Sequence, residues 1–243
     1  MNMSETETAI SLLANNMRLY AEAQLRFGGL AKVDREEAIN NVDRTFESTL
    51  EAFHTLYDVS KADFPYFGFA DTCLLIALRN ALHHRNHPLF RSLNTTIWLD
   101  GDADRLRGAA YLLARHRVMG DAPILMRHHF KLDDFCSRLN PALGSQFCDT
   151  MLSAERALAR FRVISNSLSF ERIYERGRLD RYPSKQVYLD VVPILISAVA
   201  RVFKAMHDAG ARFRGFDAET YLDPFTTEIA VDLDEIDFST MRI

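Results

Sequence analysis

The chain has 243 residues, 48% of them hydrophobic and 26% charged, with 29 Lys and Arg against 33 Asp and Glu for a net charge of −4. That is enough apolar material for a sizeable core, and the mild acidity argues against steering of nucleic acid by the surface as a whole. Three isolated cysteines (Cys73, Cys136 and Cys148) argue against a disulfide scaffold and for free thiols in a reducing cytoplasm. No apolar run reaches the roughly 18 residues of a membrane span, and the opening M-N-M-S-E-T-E-T is too polar for a secretory leader. A cytoplasmic protein without membrane contact is therefore expected.

Ile10, Leu13, Met17 and Tyr20 recur at helical spacing and predict a first helix over residues 6–27, closed by Gly28 and Gly29. Asp34, with Glu37 three residues on, resembles a capping box and opens a second helix to about residue 58. An aromatic loop over 64–69 leads into the stretch F-A-D-T-C-L-L-I-A-L-R-N-A-L-H-H-R-N-H, which Pro88 stops. Asp71 can cap the start of a helix there. After the turn at Asp100-Gly101-Asp102, a helix beginning at Asp102 or Asp104 and running through Arg117 would carry Arg105, Arg107, Arg115 and Arg117. Residues 131–139 read as a helix, and Pro141 opens a further helical pattern toward Tyr174. Residues 184–209 read as one very apolar helix, kinked at Pro193, central to the core or to a dimer interface. From Asp217 to Asp237 there are eight acids and no Lys or Arg, with Ile229, Val231 and Leu233 in alternation suited to a short strand. The expected fold class is all-α: a multi-helix bundle over residues 1–215, with a short irregular or extended acidic tail, 216–243, packed on it.

The stretch 69–87 carries the functional signal. Leu74, Leu75, Leu78 and Leu82 share one helical face. Taking about 100° per residue from Arg79, His83 falls at about 40°, His87 at about 80°, Asn80 at about 100° and His84 at about 140°. One face is apolar and the other gathers an Arg, an Asn and three His. Charge is also uneven. Between Arg79 and Lys131 nine Lys or Arg face four Asp, a surplus of five, and six of the eight His lie there.

Arg79-Asn80-Ala81-Leu82-His83-His84 fits R-N-x-x-x-H, and so resembles the signature of the HEPN superfamily (higher eukaryote and prokaryote nucleotide-binding domains). The resemblance implies a helical bundle, a homodimer, and a metal-independent ribonuclease site where two motif helices meet, as in toxins and phage-defence effectors. It matches Arg79, Asn80 and His84 position by position. Asn86 stands where some such toxins carry a Tyr that a partner nucleotidyltransferase modifies, so the resemblance does not extend to that regulation.

RNA can be cut without a metal when its 2′-hydroxyl attacks the adjacent phosphate. This takes a base, an acid and cationic donors to the phosphorane. His has a suitable pKa, and Arg offers a fixed fork of donors. The expected roles are proton transfer by His84, with His83 in reserve, charge stabilisation by Arg79 and positioning by Asn80. Arg85, His87, Arg105 and Arg107 are the expected RNA contacts. H-E-x-x-H, Cys/His pairs, G-x-G-x-x-G and G-K-[ST] are all absent, so neither metal nor cofactor is expected. The expected partners are an RNA substrate, a second copy of the chain and a cognate antitoxin. Two other readings stand beside this one. The chain can be a HEPN-like module that binds nucleotide or protein without catalysis, or the Arg and His can simply solvate a helix C-terminus. The acidic tail, complementary to 79–131, either limits RNA access there or packs elsewhere for stability.

Overall fold

The computed structural model describes residues 4–83, 88–101, 106–120, 124–149, 152–214 and 218–243. Helix α1 spans Glu5–Leu30 and α2 spans Arg35–Ser60. Ser4 and Asp34 cap them, each side chain accepting from a backbone N–H three residues on, at 3.1 and 2.9 Å. The two helices pack along one another through Ile10, Leu13 and Tyr20 on α1 and Val42, Phe46, Leu50 and Phe53 on α2, all nearly fully buried. A short 3-10 turn, Tyr66–Gly68, leads into α3, Ala70–His83. Asp71 lies inside the first turn of α3 and does not act as its cap. It is fully buried and accepts from Ser197 Oγ at 2.7 Å and Arg201 Nε at 3.1 Å, which clips α3 to a later helix.

Past α4, Leu93–Trp98, the chain departs from the all-α expectation. Ala110–Met119 is strand β1, His129–Lys131 is β2, Val187–Asp190 is β3 and Ala230–Arg242 is β4. They form a mixed four-stranded sheet in the order β2-β3-β1-β4, so the protein is α/β in content and the all-α assignment is overturned. β1 runs parallel to β3 and antiparallel to β4, and β2 runs antiparallel to β3.

Two segments read as helical became strand for identifiable reasons. From Leu112 onward the buried side chains of β1 are Leu112, Ala114 and His116, a spacing of two, with Arg115 and Arg117 at alternate positions, and Tyr111 is buried at the start of the strand. Gly108, at φ +85°, turns the chain just before it. In 184–209 the first residues form a 3-10 turn and then β3, whose four side chains are all buried as in a central strand. Helix α8, Val192–Asp208, begins only there. Pro193 sits in its first turn, where no N–H is missed, and introduces no kink.

Between β2 and β3 lie α5 (Leu132–Leu139), α6 (Ala154–Ser167) and α7 (Phe170–Leu179). Pro141 opens only a 3-10 turn, Pro141–Leu143, which Gly144 closes. The core is shared by helices and sheet. Leu74, Leu75 and Leu78 of α3 and Val199 and Phe203 of α8 belong to one buried cluster with Leu112, Leu189 and Ile236 of the strands. Among the described residues no helix is long and apolar enough to cross a membrane.

Candidate active site

Helix α3 buries its leucine face and turns Arg79 and His83, one helical turn apart, toward α2. That helix presents Asn40, Asp43, Arg44, Glu47, Ser48 and Glu51 along one face, at spacings of three and four. Packing of α2 on α3 brings the two sets together. Glu51 Oε2 accepts from Arg79 Nε at 2.9 Å and lies 2.8 Å from Nη2. Its other oxygen stands 3.3 Å from His83 Nδ1. One carboxylate thus bridges the guanidinium and the imidazole. Around them opens a cleft of about 380 Å³, lined also by Arg44, Glu47 and Ser48. The Arg79 side chain is 20% exposed and that of His83 55%, so the pair sits at a mouth that solute can reach.

A second hollow, of about 420 Å³, continues from the first and shares Arg44, Glu47 and Leu82 with it. Its floor is apolar, with Phe46, Phe90 and Phe130. His128, fully buried, stacks on Phe46 at 4.1 Å between ring centroids, and burial pushes its imidazole down to about 3, so it is neutral. Asp43 Oδ2 accepts from Ser92 Oγ and from Thr95 Oγ1, both at 2.8 Å. Ser92 also caps α4, accepting from Thr95 N at 3.1 Å, which fixes both hydroxyls. Burial raises the Asp43 carboxyl, with the two hydroxyls and Arg91 as partial offsets. Phe90 holds a φ of +59°, rare for a bulky residue, and Asp134 Oδ2 fixes it by accepting from its N–H at 3.0 Å. Strained backbone of this kind is retained where surrounding structure over-determines it, and functional sites are such places.

The sequence-selected residues divide. Arg79 and His83 meet in the cleft. Asn80 accepts from Arg79 Nη1 at 3.2 Å but lines a separate, small hollow of about 30 Å³ beside Phe67, Cys73 and Arg160. His84, Arg85, His87 and Arg105 lie outside the described residues. Arg107 is exposed on the turn before β1 and lines neither hollow.

Much of the basic segment is paired with the protein's own carboxylates. Arg115 pairs with buried Asp190 and donates to the carbonyls of Met126 and Ile124. Arg117 reaches Asp237 of β4 at 2.9 Å, Arg91 pairs with Asp100, and Lys131 lies 3.7 Å from Asp134. The aromatic loop is packed rather than offered to bases. Phe64 and Tyr66 are buried, and Arg160 and Arg201 cover Phe67 and Phe69 at 3.6 and 4.3 Å.

Reading the sequence alone missed Glu51, Asp43 and the Ser92/Thr95 pair. The polar stripe of α2 was the available signal, since its period matches that of the buried face behind it. Among the described residues no three His, Cys, Asp or Glu side chains come together as a metal site. Comparison with family models, with curated proteins and with solved structures finds no match for the chain.

Proposed function

We propose that the chain is a metal-independent endoribonuclease of HEPN type, acting on single-stranded RNA at the α2–α3 cleft. The observation that carries the reading is the bridge from Glu51 to both Arg79 and His83, in a cleft open to a polymer. The scissile phosphate enters beside Arg79, whose fork of donors neutralises the developing phosphorane. The neighbouring 2′-hydroxyl attacks the phosphorus, the 5′-oxygen leaves, and a 2′,3′-cyclic phosphate forms. His83, oriented by Glu51, and His84 of the motif exchange the two protons, one accepting from the 2′-hydroxyl and one donating to the leaving oxygen. A second copy of the chain across a two-fold axis doubles these groups at one phosphate. Toxin or defence roles are the settings in which such an activity occurs.

Cleavage of single-stranded RNA by the purified chain in EDTA, with cyclic phosphate ends, is the expected result. It should vanish in Arg79→Ala and His84→Ala while circular dichroism stays unchanged. Retained cleavage in both variants, or abolition by EDTA, refutes the assignment. One observation favours the non-catalytic alternative: Asn80 lines a different hollow from Arg79, which splits the motif between two faces. RNA binding without any cleavage is what that alternative requires.

A further inference from the structure

The hollow beside the cleft has the makings of a base-reading site. Its polar end is a carboxylate, which only accepts. Holding α4 against α2 uses Asp43 Oδ2 alone, since both hydroxyls donate to that oxygen. His128 Nε2 stands 3.9 Å from Oδ1, beyond hydrogen-bond distance, and the hydrogen bonds of Asp43 both go to Oδ2. Oδ1 therefore keeps both lone pairs for donors brought in from outside. One helical turn before Asp43, Asn40 lines the same hollow and can offer its amide N–H. The lining is mixed, with the rings of Phe46, Phe90 and Phe130 for a base to pack on and Arg44, Glu47 and Arg91 also facing the space, and about 420 Å³ lies within the roughly 300–1,000 Å³ usual for small-molecule sites.

We propose that this hollow binds a guanine base, with Asp43 Oδ1 accepting from its N1–H and N2–H groups and Asn40 donating to its O6. The choice follows from base chemistry. Guanine alone places two adjacent donors on its Watson–Crick edge. Adenine and cytosine set a ring nitrogen lone pair beside their amine, which faces the carboxylate with like polarity. Uracil has a single N–H between two carbonyls. A site with a partly buried acceptor rejects a base that leaves it unpaired, and each good base contact is worth about 1–3 kcal/mol of discrimination. Arg44 lines both hollows, so the phosphate of a guanosine seated here lies toward Arg79. This rests on the ribonuclease reading for its consequence, namely cutting on the 3′ side of guanosine, but the binding itself does not depend on it.

The test is calorimetric titration of the full chain with 3′-GMP, 3′-IMP, 3′-AMP, 3′-CMP and 3′-UMP, alongside cleavage of RNA oligomers carrying a single G. The expected result is 3′-GMP bound about ten-fold or more tighter than each of the others. The preference should be lost in Asp43→Asn. 3′-IMP lacks only the 2-amino group, so its weaker binding to the unaltered protein decides the matter even if that variant does not fold. Asn40→Asp, at a partly exposed position, should oppose O6 and reduce 3′-GMP binding by a similar factor. Equal affinity for 3′-GMP and 3′-IMP, or a preference that survives Asp43→Asn, overturns the site. Asp43-dependent guanine binding without RNA cleavage upholds the site and removes the ribonuclease reading. Cleavage after every base without guanine preference does the reverse.

Discussion

Glu51 sets two demands against each other at the level of single side chains. Its charge holds Arg79 and occupies donors that a phosphate would need, and its second oxygen faces His83 and orients the ring. Glu51→Gln keeps the shape and removes the charge. If orientation of His83 dominates, kcat falls on the order of 10²-fold, the scale of a lost acid–base contribution, and KM changes little. If masking of Arg79 dominates, KM falls and kcat holds. The first outcome is expected, because the Arg79 side chain is the more buried of the two, at 20% exposure against 55% for His83, and keeps more of its packing when the charge is removed. Steady-state cleavage by Glu51→Gln and His83→Ala separates the two. Arg79 and His83 were legible from the sequence because a single helix sets their angle. Glu51 was not, because its partnership depends on how α2 lies against α3, and no local pattern encodes that crossing.

Among the elements, β1 joins legibility, stability and pH. Its alternation of Arg115, His116 and Arg117 was readable as a strand in principle. The arginines drew attention as a basic helix face, yet a spacing of two puts them on the side of the sheet away from His116. The helices α1, α2 and α3 were legible from their 3.6-residue period, and for α2 from its Asp34 cap, although α1 runs through Gly28 and Gly29 to Leu30 and Asp71 does not cap α3. Of the sheet only the start of β4 was legible, in the alternation of Val231 and Leu233, since β3 merges without a break into the apolar run of α8 and the pairing of β4 is with a strand far away in sequence. β4 is the antiparallel partner of β1 over most of its length, so residues 230–237 of the acidic segment pack on the basic stretch, and their removal would strip β1 of that neighbour. Where the pairing slips, between His116 and Arg117, His116 is fully buried with no hydrogen bond of good geometry to either ring nitrogen. Burial pushes its imidazole down to about 4, the Leu233 backbone and the carboxylates of Asp190, Asp232 and Asp234 offsetting part of the effect. The unfolded chain takes up this proton first. The stability His116 contributes is therefore complete above its unfolded pKa of about 6.5 and is lost as pH falls toward 4. Urea unfolding at pH 7.5 and pH 4.5 should show a smaller loss in His116→Val than in the unaltered protein. The difference should be on the order of a few kcal/mol, at about 1.4 kcal/mol per pKa unit. Equal losses would mean that the imidazole is not held neutral.

At the scale of the whole molecule, the apolar run at 184–209 no longer argues for a dimer. Helix α8 is consumed by the protein's own core, with Ile194, Ala198, Val199, Val202 and Phe203 all at 0% exposure. The case for a second copy now rests on the chemistry. Cleavage needs a base and an acid at the same time, on opposite sides of one phosphorus. If two copies meet about a two-fold axis, each cleft faces its counterpart and the doubled set serves one phosphate. This makes a prediction that needs no rate constant. His83→Ala, which should fold and lack activity, is co-produced with unaltered chain at known ratios. If a competent site needs both copies intact, mixed dimers are inactive and activity follows the square of the unaltered fraction. At one half, a quarter of the activity remains. If each chain works alone, activity follows the fraction itself and half remains. Light scattering at tens of micromolar, read against 27.8 kDa for one chain, supplies the accompanying mass. The quadratic curve and twice that mass are expected together. A linear curve with a single-chain mass would place base and acid in one cleft, with both supplied by a single chain.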